Sequence, residues 1–364
     1  MRARFTRRYS MKIDRALLLK EAKSILAGIT DEQNQAVFTN RYGRHYMDDW
    51  DWFQGVALFG IYSYYRQTGD QDAKTYLTEW FDKHIAQGLP GKNINSMCPC
   101  LTLSYLWEET GRESYLAICR EWAEHAMTGL PRTLEGGLQH ITIDAPNEGQ
   151  LWDDTLYMTV LFLARMGKLL GRDDYVQESI RQFLVHVKYL TDLETGLFFH
   201  GWSFVRMDHF ARARWGRGNA WYTAGLVDYL DMADIPDGVR WFLISALDRQ
   251  TEALQQYQAD SGAWHTLIDD KDSYEEMSAT AGFAYGILKA ARLGYIPAQR
   301  ATMGQKALKA VLNNIDENGI LQGVSAGTRL HDNLDAYRNI RVNAQPYGQA
   351  MALLLITEAL RTAP

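Results

Sequence analysis

The sequence predicts an all-α protein, six helical hairpins closed into an (α/α)6 toroid, and three observations predict it. Apolar residues recur at the helical period almost throughout, while alternating β-branched runs are scarce. The helical segments are of two kinds, some apolar nearly all round and others with one charged face, as inner and outer helices require. A glycine-centred stop recurs at Thr68-Gly69-Asp70, Thr110-Gly111-Arg112 and Leu170-Gly171-Arg172, each followed by a tyrosine, Tyr76, Tyr115 or Tyr175. Glycine is the residue that closes a helix in the left-handed conformation.

Taken in order, helices are expected near 13–27, 52–67, 71–87, 99–110, 113–127, 154–169, 173–191, 218–232, 237–258, 275–293, 299–313 and 345–361. The stretches 52–67, 99–109, 154–169, 218–231 and 345–360 are apolar on every side and are expected inside. Segments between them carry charged faces, as in Glu113-Ser-Tyr-Leu-Ala-Ile-Cys-Arg-Glu-Trp-Ala-Glu-His125. Gly69 to Gly111 is 42 residues and Gly111 to Gly171 is 60, a loose repeat with insertions. A chain of 364 residues is long for one core, since single cores stop growing near ~250–300 residues. Wrapping hairpins around an axis resolves that. No Pro/Ser-rich linker interrupts the pattern, so residues 11–364 are expected to form a single catalytic domain. Residues 1–10 are basic but lack the apolar region of a secretory signal. They read as a disordered lead-in, with Met11 an alternative start.

Net charge is −6, with 46% hydrophobic and 23% charged residues, which argues against nucleic acid or an anionic membrane as the main partner. No apolar run approaches the ~18 residues of a membrane span. Cys98, Cys100 and Cys119 are too few for a disulfide framework and suit a reducing cytoplasm. No HxH or HExxH pair, P-loop, dinucleotide fingerprint or GxSxG elbow is present. The expectation is therefore no metal and no cofactor. Periodicity leaves the oligomeric state open.

Five connections are long, 88–98, 128–153, 192–217, 259–274 and 314–345, and each leads to an inner helix. A toroid gathers such connections at one rim, where function usually resides. Four polar groups then converge: Gly91 to Met97, with Asn93 and Asn95; Glu135 to His140 with Trp152-Asp153-Asp154; His200-Gly201-Trp202 with Trp215 to Trp221; and Asp272 to Ser278. Asp153 or Asp154 can be a helix cap or a cleft carboxyl. Trp215-x-Arg217-x-x-x-Trp221 sets a guanidinium between two indoles, which suits an acidic sugar. Its alternative is a structural cation–π stack. His84, His125 and His186 fall within outer helices and read as packed or solvent-facing, whereas His140 and His200 lie beside glycines in the converging loops. The 11 Trp, 20 Tyr and 13 Phe fill a large core or offer platforms for sugar rings.

These residues resemble glycoside hydrolase family 105, the unsaturated rhamnogalacturonyl hydrolases, related to the unsaturated glucuronyl hydrolases of family 88. The resemblance runs from about Asp49 to Leu360. Its anchors are Trp152-Asp153-Asp154-Thr155-Leu156-Tyr157-Met158, His200-Gly201-Trp202 and Trp215-x-Arg217-Gly218-x-x-Trp221. Gln54-Gly55, Glu135-Gly136-Gly137, Asp272-Ser273-Tyr274-Glu275 and Pro346-Tyr347-Gly348 support them. The resemblance implies the (α/α)6 toroid and removal of a terminal 4,5-unsaturated uronic acid from pectin-derived oligosaccharides, by hydration of the C4=C5 bond. Family correspondence puts the essential carboxyl on Asp154, with Asp153 at a position often apolar. It implies a substrate carboxylate on Arg217, stacking on Trp215 and Trp221, and polar contacts from His140, His200 and Asn95, with Trp202 beside them. A second acid found in some relatives would fall in the loop from Asn93 to Met97, and this chain has Asn95 there. Its neighbour Asp153 and partial burial are expected to push the Asp154 pKa up. A conventional inverting glycosidase pairing Asp154 with Glu275 or Asp49, and a non-catalytic sugar-binding protein, are the rival readings.

Overall fold

Six helices form a closed inner ring: α2 (Trp52–Thr68), α4 (Cys98–Thr110), α6 (Leu161–Leu170), α8 (Gly216–Met232), α10 (Met277–Arg292) and α13 (Pro346–Leu360). Each packs on the next, and α13 packs on α2 to complete the circle. An outer layer of α1 (Arg15–Thr30), α3 (Gln71–Gln87), α5 (Glu113–Thr128), α7 (Asp173–Leu190), α9 (Asp237–Tyr257) and α11 (Ala301–Asn313) backs the ring. The computed structural model describes residues 13–31 and 46–363, so the expected lead-in 1–10 and Met11 lie outside the described residues.

The sixth hairpin joins the two ends of the chain. Helix α1 lies against α13, with Arg15 Nη1 donating to Leu360 O at 3.1 Å. One hydrophobic cluster runs from Leu18 to Leu360, and the (α/α)6 toroid expected from the sequence is the observed fold. Gly69, Gly111 and Gly171 close α2, α4 and α6 in the left-handed region, at φ 75°, 65° and 63°.

The inner position of α10 was not marked in the sequence, because Lys289 and Arg292 end the segment with charge. Along Met277 to Ile287 the helix is nevertheless buried throughout. Its small residues explain the fit: a Cβ on Gly286 would meet the Thr223 backbone at 2.8 Å, so α8 and α10 touch almost backbone to backbone.

The long connections gather at one rim, as expected. Strand β1 (Gln150–Trp152) pairs antiparallel with β2 (Gly201–Ser203), and β3 (Val324–Ser325) with β4 (Val342–Asn343). Bridges Trp215 to Leu267 and His265 to Glu275 tie in the fourth connection. A five-residue helix, α12 (Leu334–Arg338), sits in the last connection, where the sequence offered only a loop.

Candidate active site

Pairing of β1 with β2 builds the centre. The ladder extends one step past Trp152, with Asp153 N donating to His200 O at 3.1 Å. That step sets the acidic pair beside the His200 imidazole. Asp154 opens the inner helix and is followed by a π-helical turn, Leu156–Val160. Such turns recur where a helix must re-aim side chains at a functional site.

Neither aspartate acts as a helix cap. Asp153 has no hydrogen-bond partner beyond Asp154. His200 Nε2 lies 3.3 Å from Asp154 Oδ2. On its other side, His200 Nδ1 is 2.7 Å from the Tyr337 hydroxyl. The Tyr337 hydroxyl accepts from His331 N at 3.4 Å, and with its own proton given to Nδ1 the ring proton would sit on Nε2, facing the carboxylate. Burial lowers the His200 pKa against the pull of Asp154.

The two carboxyls differ sharply. Asp153 is wholly buried and Asp154 keeps 8% exposure. Burial, then the neighbouring Asp154 charge, push Asp153 well above the usual carboxylate range. Burial also works to raise Asp154, but the adjacent His200, with His140 and the Arg217 guanidinium nearby, outweighs it and holds it below that range. The upward shift expected of Asp154 is therefore corrected: it falls on Asp153, the more deeply buried of the two carboxyls.

His140 stacks on Trp152 at 4.2 Å and 5°, and its Nδ1 is 2.9 Å from Thr155 Oγ1. Burial takes its pKa down to about 4. Asn95 is half-buried in an Asx turn whose Asn93 Oδ1 accepts from Asn95 N and Ser96 N. Thr159 Oγ1 donates to Ile94 O at 2.8 Å, which moors that turn to the π segment after Asp154.

Arg217 is placed differently from its expected use. At 1% exposure, it donates from Nη1 to Ser325 O at 3.0 Å, and from Nη2 to Ala326 O at 2.8 Å and Thr328 Oγ1 at 3.0 Å. Its plane lies over Trp215 at 4.6 Å and Tyr347 at 5.0 Å. These bonds occupy the fork that a sugar carboxylate would need, so the stacked structural arrangement describes the observed state. Trp215 packs on His200 at 4.2 Å, and Trp221 is enclosed by Trp52 and Tyr157. Both indoles are buried, so the direct stacking expected of them is corrected too. Trp52, Phe53 and Trp202 are rings of this rim that keep part of their surface exposed.

Sequence reasoning missed Tyr337 because a single helical turn leaves no periodicity to read. It also missed Asp51, the N-cap of α2, whose capping box with Gln54 was visible. Burial, with help from Asp49 and Asp144, raises Asp51 to about 6. Of the outer-helix histidines, His84 and His186 are packed inside. Asp153, Asp154 and His200 also bring one possible ligand atom each to within 4.8 Å of one another.

Three comparisons bear on this geometry. The model of the family described as Glycosyl Hydrolase Family 88 matches residues 28–363. Unsaturated rhamnogalacturonyl hydrolase YesR of Bacillus subtilis is 34% identical over 319 residues, covering 86% of this chain and 90% of the relative. A crystal structure from Klebsiella pneumoniae, described as a possible member of the GH105 family, is 46% identical with a TM-score of 0.92, over 98% of this chain and 96% of that one. A similarly described structure from Salmonella enterica is 44% identical, also at 0.92, over 98% and 97%.

Proposed function

We infer, from the premise that this chain belongs to glycosyl hydrolase family 88, that it is a hydrolase removing the terminal 4,5-unsaturated uronic acid from pectin-derived rhamnogalacturonan oligosaccharides. The supporting observation is Asp154: a carboxyl with a sliver of exposure, at the rim where the connections meet, backed by His200. The likeness to an unsaturated rhamnogalacturonyl hydrolase supports the substrate. Asp154 would protonate C4 of the C4=C5 bond, and water would add at C5. The resulting hemiketal opens and expels the aglycone. This reaction needs one carboxyl acting first as acid and then as base. His200 aims its Nε2 proton at that carboxyl. Arg217 fixes the lip 325–328 beside it and supplies positive charge. Trp52 and Trp202 offer ring faces to the sugar, with His140 and Asn95 on the flank.

We place the activity in residues 11–364 as one domain and in the cytoplasm, on imported oligosaccharides. The three free, buried cysteines suit a reducing compartment. Among the described residues, no helix is long and apolar enough to cross a membrane.

The test follows the ultraviolet absorbance of the double bond in unsaturated galacturonyl-rhamnose. Wild type is expected to bleach it, and Asp154→Asn to slow the loss by roughly 10²–10⁴-fold, the size of a general-acid contribution. Unchanged bleaching by that variant would sink the mechanism. Cleavage of the saturated disaccharide at a comparable rate would favour the inverting glycosidase.

A further inference from the structure

Asp153 is the ionisable group that the mechanism above leaves unused, and its surroundings are peculiar. It is wholly buried, and its only hydrogen-bonding neighbour is Asp154, through that residue's side chain and backbone. Yet it is no stray side chain. A Cβ on Gly218 would overlap Asp153 Oδ2, so the first turn of α8 leaves room for the carboxyl only because residue 218 is glycine. Atoms of Asp153, Asp154 and His200 lie within 4.8 Å of one another. A carboxylate in that position, buried beside a second carboxyl, costs more at rest than keeping its proton. Two carboxyls sharing a site resist ionising together, so at rest one is charged and the other neutral.

We propose that Asp153 is the proton store of the site, so that Asp153 and Asp154 share a single proton and Asp154 delivers it to the substrate. This rests on the hydration reading above and deepens it. Alone, Asp154 sits beside His200 and rests ionised, with no proton to give. As substrate binds, the Asp153 O–H bond breaks and an O–H bond forms on Asp154. The alkene π pair then takes that proton to make the C4–H bond, and the ring oxygen stabilises the positive charge at C5. Water forms the C5–O bond, and its released proton returns to the carboxyl pair. One water is consumed and the pair ends with one proton, as it began. Asp153 acts only through Asp154, so it is a positioning residue.

Asp153→Asn keeps the shape and removes the exchangeable acid. With the unsaturated disaccharide, this variant is expected to lose at least roughly tenfold in kcat, with KM within about twofold, short of the loss for the acid itself. The alkaline limb of its kcat profile should move to lower pH, a change that a packing role would not produce. Infrared difference spectra of wild type at pH 8, where Asp51 at about 6 is ionised, should show the C=O stretch of a protonated carboxyl. That measurement stands even if the variant fails to fold. Three results would overturn the proposal: no such band in wild type, an Asp153→Asn profile superimposable on wild type, or activity lost to a chelator and restored by a divalent cation. If wild type shows the band but leaves the double bond intact, the hydration reading fails and the shared proton stands.

Discussion

Gly218 and Asp153 show how a residue with no side chain determines where a charge sits. The glycine faces the carboxyl at a distance no Cβ tolerates. Gly218→Ala is therefore expected to push Asp153 out of its niche, destabilising the fold by about 1–3 kcal/mol, as overpacking does, and removing activity. In a double-mutant cycle, Asp153→Ala in the Gly218→Ala background should recover most of the stability. Additive losses in urea unfolding would show that the two groups do not meet. At this scale, motif and structure agreed only in part. Asp154 and His200 were legible because each sits in a short glycine- or tryptophan-marked run. The protonation order of Asp153 and Asp154 was not, because it depends on His200, 46 positions after Asp154, and on Tyr337, a further 137 positions on. The bonding of Arg217, left open between a substrate contact and a structural stack, was illegible for the same reason: its acceptors are carbonyls and hydroxyls of residues 325–328, which no local pattern connects to it.

Helices fare better than side chains, since their signals are local. Expected and observed ranges agree within about two residues for most helices because glycine stops and apolar periodicity are written in each segment. Exceptions have physical causes. Helix α12 is one turn long, and the inner helix after Asp154 starts with a π turn whose extra residue disturbs the period. Helix α10 hid its role behind small residues, which carry little hydrophobic signal but allow close approach. Gly286→Ala tests that approach. The added methyl would meet the Thr223 carbonyl group, which is backbone and cannot swing aside. The expected cost is about 1–3 kcal/mol, read as a lower urea midpoint at unchanged slope. A midpoint equal to wild type would mean that α8 and α10 have slack between them.

Across the whole molecule, the toroid separates two ends. One rim holds Asp154 and the long connections. At the other, a cavity of about 460 Å³ is ringed by residues near the C-terminal ends of the inner helices, among them Arg165, Asp228, Lys289 and Glu358. Lys289 Nζ and the Tyr285 hydroxyl both donate to Asp228, an arrangement that places cations where helix dipoles end negative. Burial inside the ring also sets how the protein responds to acid. His140 and His186 are both pushed down to about 4 from 6.5, by burial first. A histidine whose folded pKa is depressed gives up stability as pH falls, because the unfolded chain takes the proton earlier. Its contribution is complete above 6.5 and gone near 4, and each histidine accounts for roughly 3 kcal/mol. Asp153 runs in the opposite direction, being stabilising while protonated and losing that contribution as pH rises. Thermal unfolding should therefore show a steep drop in Tm between pH 6.5 and 4. His186→Gln should shed part of the histidine-driven slope, because a neutral amide takes up no proton as the pH falls. A slope identical to wild type would show that His186 charges freely in the folded state, and that the ring's interior admits more water than its packing implies.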